Sequence, residues 1–343
     1  MKAMILRKIV KLDEDRAPLE LAEIPEPVPG EKELLVKVSA CGVCHTELDE
    51  IEGRMRPPGL PVVPGHQAVG RVVGQGPKAR AFKEGERVGV AWIYSACGRC
   101  GDCRGGNENL CPEFRATGRD VDGGYAELMK VPEEFAHRIP GLFSDLEAAP
   151  LLCAGAIGYR SLRLTNIREG EPLGLVGFGA SAHLVLQMAR HRHPTSPVFV
   201  FARSERERAF AEELGAAWTG DIGERPPEKL AASIDTTPVW RSIVEAMGNL
   251  RPGGRLVINA IRKEDVDKET LSRLDYSDHL WMEKEIKSVT NVSRSDVREF
   301  LGLAAEIPIR PEIQEYPLEG ANEALLELKD RKIRGAKVLR IGS

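Results

Sequence analysis

The second half of the chain alternates short apolar runs with segments of helical periodicity. Leu173–Val176 is an apolar run that predicts a buried strand. After a glycine-rich turn, Val185, Met188 and Ala189 follow at the i, i+3, i+4 spacing of one helix face. This order of strand, turn and helix is one unit of an α/β fold.

Two further units of the same kind follow. Val198–Ala202 predicts a strand, and Ser204 with Glu207 forms a capping box that opens a helix through Leu214. The third unit consists of a strand, a helix, a Pro-Gly-Gly turn and a strand, at Ala232–Asp235, Val239–Leu250, Pro252–Gly254 and Leu256–Ala260. Strands that alternate with helices at this spacing predict a parallel, doubly wound sheet.

The first half of the chain has a different pattern. Met1–Pro150 is rich in valine strands, prolines and glycine turns and has few helical periods, which predicts a β-rich domain. A length of 343 residues exceeds the roughly 100–200 residues of one domain, so two domains are expected. Their boundary is predicted near Ala154–Leu164.

Composition and charge narrow the choice of partners. The chain has 42% hydrophobic and 29% charged residues and a formal net charge of −4 without a basic block, which excludes a nucleic-acid or anionic-membrane footprint. Its most apolar stretch, Leu173–Ala189, carries three glycines, a serine and a histidine and does not predict a membrane span. Met1–Asp15 does not resemble a signal peptide, so a cytoplasmic location and a small-molecule partner are expected.

Four of the seven cysteines lie close together in the sequence. Cys97, Cys100, Cys103 and Cys111 have the spacing C-x2-C-x2-C-x7-C within a glycine-rich segment. Four thiolates on a short loop are the ligands of a structural zinc ion. Disulfides, which a reducing compartment disfavours, and an iron–sulfur cluster are the alternatives.

Three other residues with metal-ligating side chains are far apart in sequence. Cys44, His66 and Cys153 each follow an apolar stretch and have small neighbours, and together they would form a Cys2His site. Three protein ligands leave a fourth position for water or substrate, which is typical of catalytic zinc. Taken singly, each would be an ordinary buried thiol or histidine. Cys41 is left over and is predicted to be a spare buried thiol rather than an alternative ligand.

The glycine turn after the first predicted strand has the pattern G-x-G-x-x-A. Gly177 permits the tight turn, Gly179 lets a pyrophosphate approach the backbone, and Ala182 packs the helix on the strand. With Ala180 and Ser181 these residues form a candidate dinucleotide site at a helix N-terminus. A glycine turn that simply ends a strand is the alternative.

The end of the second strand bears on the choice of nicotinamide cofactor. NAD-binding proteins place an acidic residue here on the ribose 2′-hydroxyl, but this chain has Ala202. Arg203, Ser204 and Arg206 follow, and guanidinium groups with a hydroxyl suit a 2′-phosphate. NADP(H) is therefore favoured and NAD(H) remains possible, since these residues could also be solvated positions of a capped helix.

Over nearly its full length the chain resembles the zinc-dependent medium-chain alcohol dehydrogenases. The resemblance rests on six motifs: Gly42–Thr46, Gly65-His66, the four-cysteine segment, Asp122–Glu127, Leu152–Gly155 and Gly177–Ala182. It implies an α/β protein with a GroES-like, β-rich catalytic domain at 1–155, a zinc lobe at about 95–112, a Rossmann domain at 156–290 and a return to the catalytic domain at 291–343. It also implies two zinc ions per chain, one catalytic and one structural, and a homodimer or homotetramer.

The resemblance assigns roles to three further residues. Thr46 matches the family's hydroxyl that passes the substrate proton towards the cofactor ribose, and His45 matches a basic group against the pyrophosphate. Trp92 matches a bulky residue of the substrate pocket. A hydroxyl bonded to local backbone, a surface histidine and a strand-packing aromatic are the respective alternatives.

Several positions depart from the family pattern. Gln67 stands where a glutamate usually follows the ligand histidine, and Glu47 replaces an aspartate that orients that histidine. Asp49 occupies the place of a relay histidine, so Asp49 or water is expected to complete proton exit. Ala336 stands where a pyrophosphate-binding arginine is common, with Arg334 and Lys337 as candidate substitutes.

The function that this resemblance implies is reversible hydride transfer between an alcohol, primary or secondary, and NAD(P), with zinc as the Lewis acid. An NADPH-dependent reductase of aromatic or cinnamyl-type aldehydes is one alternative. A non-catalytic sensor that binds zinc and nucleotide is an alternative of another class, although an open zinc site and a relay hydroxyl have no chemical purpose in a protein that only binds.

Overall fold

A computed structural model describes residues 1–307, 309–330 and 335–342. The chain divides into two compact units, one formed by Met1–Ala156 with Asn291–Ser343 and the other by Ile157–Thr290. None of the helices within the described ranges is both long enough and apolar enough to cross a membrane.

The chain contains strands and α-helices with the following bounds. The strands are β1 (Lys2–Leu6), β2 (Leu19–Glu23), β3 (Glu33–Val43), β4 (Ala68–Gln75), β5 (Arg87–Val90), β6 (Ile93–Ser95), β7 (Arg115–Ala116), β8 (Leu128–Pro132), β9 (Ala136–Arg138), β10 (Leu173–Val176), β11 (Val198–Phe201), β12 (Trp218–Gly220), β13 (Leu230–Asp235), β14 (Leu250–Ile258), β15 (Glu285–Ser288), β16 (Ile313–Pro317) and β17 (Ala336–Arg340). The α-helices are α1 (His45–Ile51), α2 (Gly101–Arg104), α3 (Asp145–Pro150), α4 (Ala156–Thr165), α5 (Ala182–Arg192), α6 (Glu205–Glu213), α7 (Arg241–Asn249), α8 (Arg294–Glu306) and α9 (Ala321–Lys329).

The first unit is built on a seven-stranded sheet in the order β16-β17-β3-β4-β5-β9, with β8 also paired to β3. Its central strand β3 alternates at first, because Leu34, Val36 and Val38 face the core while Lys37 is exposed. From Ala40 onward the strand is buried on both faces. The buried end of β3 leads directly into the candidate active site.

The second unit is a parallel sheet of six strands in the order β12-β11-β10-β13-β14-β15. The order reverses between β10 and β13, as in doubly wound dinucleotide-binding folds. The predicted α/β fold class, with a β-rich domain and a doubly wound domain, is confirmed.

One local prediction in the second unit was wrong. Pro252–Gly254 was expected to form a turn between a helix and a strand, but the segment lies inside β14 as an irregularity of the strand. Gly253 has φ +69°, a conformation that glycine adopts without strain, and the register with β13 shifts here. The strand continues because Leu250 already pairs with Leu230.

Glu52, at the end of α1, ties three segments of the first unit together. Its Oε1 accepts hydrogen bonds from the Leu12 backbone N–H at 3.0 Å and from Lys329 Nζ at 2.9 Å, and Oε2 accepts one from Arg54. Burial alone would raise the pKa of Glu52, but these donors lower it to about 2. The carboxylate therefore stabilises the fold only while it is ionised.

Glu52→Gln is expected to lower the free energy of unfolding by about 2 kcal/mol at pH 7, because charged hydrogen bonds are lost in a buried setting. Since the folded pKa lies below the ordinary value of 4.5, the stabilisation is complete above pH 4.5 and disappears as the pH falls towards 2. Urea denaturation of the two proteins at pH 7 and pH 4 measures this. The difference in the free energy of unfolding between wild type and Glu52→Gln should be smaller at pH 4 than at pH 7. Glu14→Gln, which changes an exposed residue, should unfold like the wild type at both pH values.

Candidate active site

Two neighbouring strands and a helical turn bring Cys44, His66 and Cys153 together. Cys44 follows the last residue of β3, and His66 precedes β4, which pairs with β3 so that Cys41 lies opposite Ala68. Cys153 lies in the π-helical turn Leu151–Gly155. One ligand atom from each of the three residues lies within 4.8 Å of the other two.

The backbone before His66 requires glycine. Gly65 has φ +98°, and a Cβ atom at this position would lie 2.3 Å from Cδ1 of Tyr125. Any other residue would displace the Tyr125 ring or the turn that aims His66. The Gly-His dipeptide is thus needed for the position of the imidazole.

Glu47 connects two of these residues. Its Oε2 accepts a hydrogen bond from the backbone N–H of Cys44 at 2.8 Å, and its Oε1 lies 2.5 Å from Nδ1 of His66. A carboxylate on one ring nitrogen fixes the tautomer and leaves the other nitrogen free for a ligand. The longer side chain of glutamate therefore reaches His66 despite the departure from aspartate.

The three residues shift one another's pKa values. The Cys44 and Cys153 sulfurs lie 4.0 Å apart. The Cys153 thiol, with His66, holds the pKa of Cys44 well below its usual value. Burial alone would lower the pKa of His66, but Glu47 and Cys44 raise it well above the ordinary value.

The donor set fits a zinc ion. His66 is 1% exposed, and its Nε2 has no hydrogen-bond partner in the part of the chain that the structure describes. Tetrahedral ligands about 2.3 Å from zinc lie about 3.8 Å from one another, close to the observed sulfur separation. A buried nitrogen without a partner beside two sulfurs at this spacing suits three ligands of an open site.

Two of the three residues that the resemblance assigns roles to lie close to the ligand candidates Cys44 and His66. Thr46 is 5% exposed, and its Oγ1 lies 3.6 Å from Cys44 Sγ. His45 is exposed at the start of α1. The Trp92 ring lies 6.1 Å from the His66 ring and 5.8 Å from Phe114, measured between centroids. Thr46 and Trp92 thus accompany the three ligand candidates.

The structure adds a buried carboxyl group that sequence reasoning missed. Glu50 is 1% exposed, and neither carboxyl oxygen has a hydrogen-bond partner among the described residues. Burial first, and Glu47 second, raise the pKa of Glu50 well above its ordinary value. The sequence carries no signal that Glu50 is buried, because an acidic residue on a short helix is usually solvated.

The structure also shows the surroundings of the spare cysteine, Cys41, and of two positions near departures from the family pattern, Asp49 and Lys337. Cys41 is fully buried and lies outside both groups of ligand candidates. Asp49 is 1% exposed, and its Oδ1 accepts a hydrogen bond from Arg54 Nε at 2.5 Å. Lys337 is held by Gln314, Tyr316 and Glu327. Arg334 lies outside the described residues.

The four clustered cysteines converge on one point. The ligand atoms of Cys97, Cys100, Cys103 and Cys111 all lie within 4.8 Å of one another, and the sulfurs of Cys97 and Cys103 are 3.9 Å apart. All seven cysteines of the chain are free, and a disulfide would require about 2.05 Å between sulfurs. The spacing suits one tetrahedral ion.

Backbone N–H groups favour the thiolate form of one of these sulfurs, that of Cys97. Those of Arg99 and Cys100 donate to the Cys97 sulfur at 3.5 and 3.4 Å. These donors lower the pKa of Cys97 to about 6. Burial first, and the neighbouring cysteines, raise the pKa of Cys103 to about 12, so the four sulfurs differ in how readily they ionise.

The glycine motif lies at the end of β10 in the second unit. Gly177 has φ +83°, and a Cβ here would lie 2.7 Å from Thr236 Oγ1. A Cβ on Gly179 would meet nothing within 4 Å, so the backbone is open to a ligand. Ala180 is partly exposed, Ser181 accepts a hydrogen bond from Asn259 Nδ2 at 3.2 Å, and Ala182 begins α5.

The residues after β11 differ in their availability to a cofactor. Ala202 is 1% exposed, whereas Arg203 is exposed and forms no hydrogen bond or ion pair through its side chain among the described residues. The Ser204 hydroxyl caps α6: it accepts from the Glu207 N–H at 3.2 Å and donates to Glu207 Oε2 at 2.9 Å. Arg203 is thus available for a phosphate, while the Ser204 hydroxyl is already engaged.

Comparisons with known proteins agree with this geometry. Residues 30–141 match the alcohol dehydrogenase GroES-like domain. The chain is 45% identical to the probable alcohol dehydrogenase AdhA of Mycobacterium tuberculosis, over 95% of this chain and 94% of that protein. It is 33% identical to an alcohol dehydrogenase of Geobacillus stearothermophilus, over 97% and 99% of the two chains. A cinnamyl alcohol dehydrogenase from Sorghum bicolor has a similar structure, with TM-score 0.87, 26% identity and coverage of 99% and 97%.

Proposed function

The chain belongs to the zinc-type medium-chain alcohol dehydrogenase family, and from this premise we propose that it interconverts alcohols with aldehydes or ketones at a zinc ion held by Cys44, His66 and Cys153. Alcohol dehydrogenase activity is the function that its relatives share. The observation that carries the zinc proposal is the convergence of these three side chains with an unpartnered His66 Nε2.

Each residue of this site has a distinct part in the reaction. When bound, zinc supplies a Lewis acid that polarises the substrate oxygen and lowers the pKa of the alcohol. Cys44 and Cys153 provide the negative charge that holds the cation, and Glu47 keeps His66 oriented with Nε2 towards it. Thr46, beside Cys44, offers a hydroxyl that would relay the substrate proton, accepting it as it passes its own proton towards the cofactor ribose.

The substrate wall next to His66 is aromatic. Trp92 packs edge-on against Phe114 and near the His66 ring. Because aromatic faces favour planar ligands, benzylic and cinnamyl-type alcohols are the second substrate class to compare with short aliphatic alcohols. The reductase alternative uses the same site in the opposite direction.

Initial rates of alcohol oxidation and aldehyde reduction on zinc-replete protein test the proposed function. The panel contains aliphatic, benzylic and cinnamyl-type substrates, each with NAD(H) and NADP(H). Turnover that is lost with the catalytic zinc supports the proposal. Bound nucleotide without turnover on any substrate, and one zinc ion per chain rather than two, would favour the sensor alternative.

Arg203→Ala is expected to lower kcat/KM with NADP by about 10- to 100-fold and to leave the value with NAD almost unchanged. The reason is the loss of a charged hydrogen bond to the 2′-phosphate, worth about 1.5–3 kcal/mol. The ratio of the two kcat/KM values is the measurement. Ala202→Asp should move the ratio further towards NAD. Arg16→Ala, which removes one exposed positive charge from the other unit, is the control. An unchanged ratio in Arg203→Ala would contradict the preference for NADP.

The second unit also has a surface suited to a second copy of the chain. Strand β15 is at the end of the parallel sheet, and all of its residues are exposed. Exposed apolar side chains surround it, with Trp281 at 54%, Met282 at 52% and Ile286 at 43% exposure. An unpaired strand edge with apolar neighbours is rarely left open to water. We propose that β15 pairs with β15 of a second copy in a homo-oligomer.

Ile286→Asp is expected to shift the protein towards monomers, because the new charge would be buried in this interface without a partner. Sedimentation equilibrium gives the molar mass. The matched control is Val28→Asp, which places the same charge on an apolar residue that is 82% exposed in the other unit. Equal masses for wild type and Ile286→Asp would remove β15 from the interface.

A further inference from the structure

An ion pair is buried in the second unit where strand β13 ends. Asp235 is the last residue of β13 and is fully buried, and the side chain of Lys263, which follows β14, is 8% exposed. The ammonium group of Lys263 donates to Asp235 Oδ2. Burial raises the pKa of Asp235 and lowers that of Lys263, so each charge needs its partner in this place. Neither residue belongs to the glycine motif or to the ligand candidates.

The ion pair also holds the four residues that follow β13, the segment 236–239. The other two N–H groups of the Lys263 ammonium donate to the carbonyl oxygens of Thr237 at 2.8 Å and Val239 at 2.9 Å. Asp235 Oδ1 accepts hydrogen bonds from the Thr237 hydroxyl at 2.9 Å and from the Thr237 backbone N–H at 3.3 Å. Both members of the pair therefore fix the conformation of this segment.

The segment 236–239 packs on the first glycine of the dinucleotide motif. The backbone N–H and the hydroxyl of Thr236 donate to the Val176 carbonyl at 2.9 and 3.1 Å. A Cβ atom on Gly177 would lie 2.7 Å from Thr236 Oγ1 and 2.9 Å from Thr237 Cγ2. A change in the conformation of the segment would therefore alter the surface beside the glycine turn.

The place of this segment in the sheet relates it to one half of a dinucleotide. The strand order reverses between β10 and β13, and dinucleotides bind in the crevice outside the carboxyl ends of the strands at such a point. The half of the sheet from β10 to β12 carries the glycine motif and Arg203, the candidates for the pyrophosphate and the adenosine ribose. The half that starts with β13 is left for the nicotinamide mononucleotide.

We propose that Lys263 and Asp235 are positioning residues for the nicotinamide half of the cofactor. They hold the segment 236–239 in its binding conformation before the cofactor arrives, and they act through the backbone of the segment rather than by contact with the cofactor. A segment that is fixed in advance loses little conformational freedom on binding, whereas a loose one is ordered at the expense of affinity. This inference rests on the proposed function, because it places NAD(P) in the crevice.

Two variants separate positioning from stability. Lys263→Met removes all three donors and is expected to raise the Kd for the dinucleotide about tenfold or more. It also leaves Asp235 buried without a cation, which lowers the melting temperature. The double variant Asp235→Asn/Lys263→Met contains neither charge, so its melting temperature should lie closer to that of the wild type. Its affinity should stay low, because the carbonyls of Thr237 and Val239 still lack the ammonium.

The test measures nucleotide binding to zinc-replete protein. The fluorescence of NADPH and NADH and calorimetry give the Kd for each whole dinucleotide. Adenosine 2′,5′-bisphosphate and AMP report on the adenosine half alone. In both variants the affinity for these fragments should stay within about twofold of the wild-type value, because the adenosine half lies on the other side of the switch point.

Lys229→Met is the matched control for Lys263→Met. Lys229 directly precedes β13, is exposed, and donates to the Gly248 carbonyl at 2.5 Å. The change removes a lysine that also donates to a backbone carbonyl, but at the amino end of the strand and away from the crevice. The affinity for dinucleotides and fragments should remain unchanged.

Four results would overturn the proposal. They are an unchanged Kd for the dinucleotide in Lys263→Met, recovery of affinity together with stability in the double variant, an equal loss of affinity for the adenosine fragments, and the same loss in Lys229→Met. None of these measurements needs turnover. If the wild type binds neither NADPH nor NADH, the proposed function fails together with this inference. If the wild type and both variants bind a dinucleotide equally well, only this inference fails.

Discussion

Cys153→Ala is expected to lower kcat/KM for alcohol oxidation by at least about 1,000-fold and to reduce the zinc content from two ions per chain to one. Two ligands remain after the change, and a two-ligand site does not retain zinc in the geometry of a catalytic centre. The Lewis acid contributes several kcal/mol to the transition state, and each 1.36 kcal/mol is worth about tenfold in rate.

The fold should survive this substitution. Cys153 lies in the turn Leu151–Gly155 and is only partly buried, so removing its sulfur leaves little empty space. Zinc content by atomic absorption and kcat/KM are measured on the same preparation. Circular dichroism and the melting temperature establish that the protein is folded.

Cys41→Ala is the matched control for Cys153→Ala. Cys41 is fully buried three residues before Cys44, but it lies outside both groups of ligand candidates. This variant is expected to keep both zinc ions and most of the activity. If it loses the catalytic zinc while Cys153→Ala keeps it, the assignment of the ligands is wrong.

Cys103→Ser is expected to cost one zinc ion and to unfold the lobe at about 95–112. The lobe has almost no core of its own, since α2 contains no buried residue and only Glu108, Asn109 and Cys111 are buried nearby. Small zinc-finger domains bind zinc with apparent free energies of about 10–16 kcal/mol. Loss of the ion therefore removes most of the free energy that stabilises the folded lobe, because its few side-chain contacts contribute much less.

Limited proteolysis and zinc content test this second prediction. Trypsin should cut the variant first at Arg99 or Arg104, which are exposed in the lobe. The control Glu113→Gln breaks only the exposed ion pair with Arg99 at 2.9 Å, which contributes little, and keeps both cleavage sites. Full zinc content and unchanged protease resistance in Cys103→Ser would show that the four sulfurs do not hold a structural ion.

Local sequence signals were sufficient for the parts of the protein that depend on neighbours in the chain. The run Leu173–Val176, the turn at Gly177 and the capping box of Ser204 and Glu207 predicted β10, α5 and α6 because hydrophobic spacing and capping act over a few residues. The four clustered cysteines needed only their spacing, since a short loop brings their sulfurs together.

The site of Cys44, His66 and Cys153 depends on contacts between segments that are far apart in the sequence. Cys44 and Cys153 are 109 positions apart, and only the pairing of β3 with β4 and the turn at Leu151–Gly155 bring them and His66 together. Their ligand chemistry and small neighbours were enough to group them as a candidate Cys2His site, and the resemblance to a known family supported that grouping. Composition and periodicity alone left each residue as an ordinary buried side chain.

The tertiary structure alone decided which polar groups are buried without partners. Glu50 and His137 have no distinguishing motif in the sequence, yet packing buries both and leaves the Glu50 carboxyl oxygens and His137 Nε2 without a hydrogen-bond partner among the described residues. The pKa of a side chain and the absence of a partner both depend on atoms from distant segments. The sequence therefore determined the fold class and the candidate ligands, whereas packing determined which other polar groups are buried without a hydrogen-bond partner.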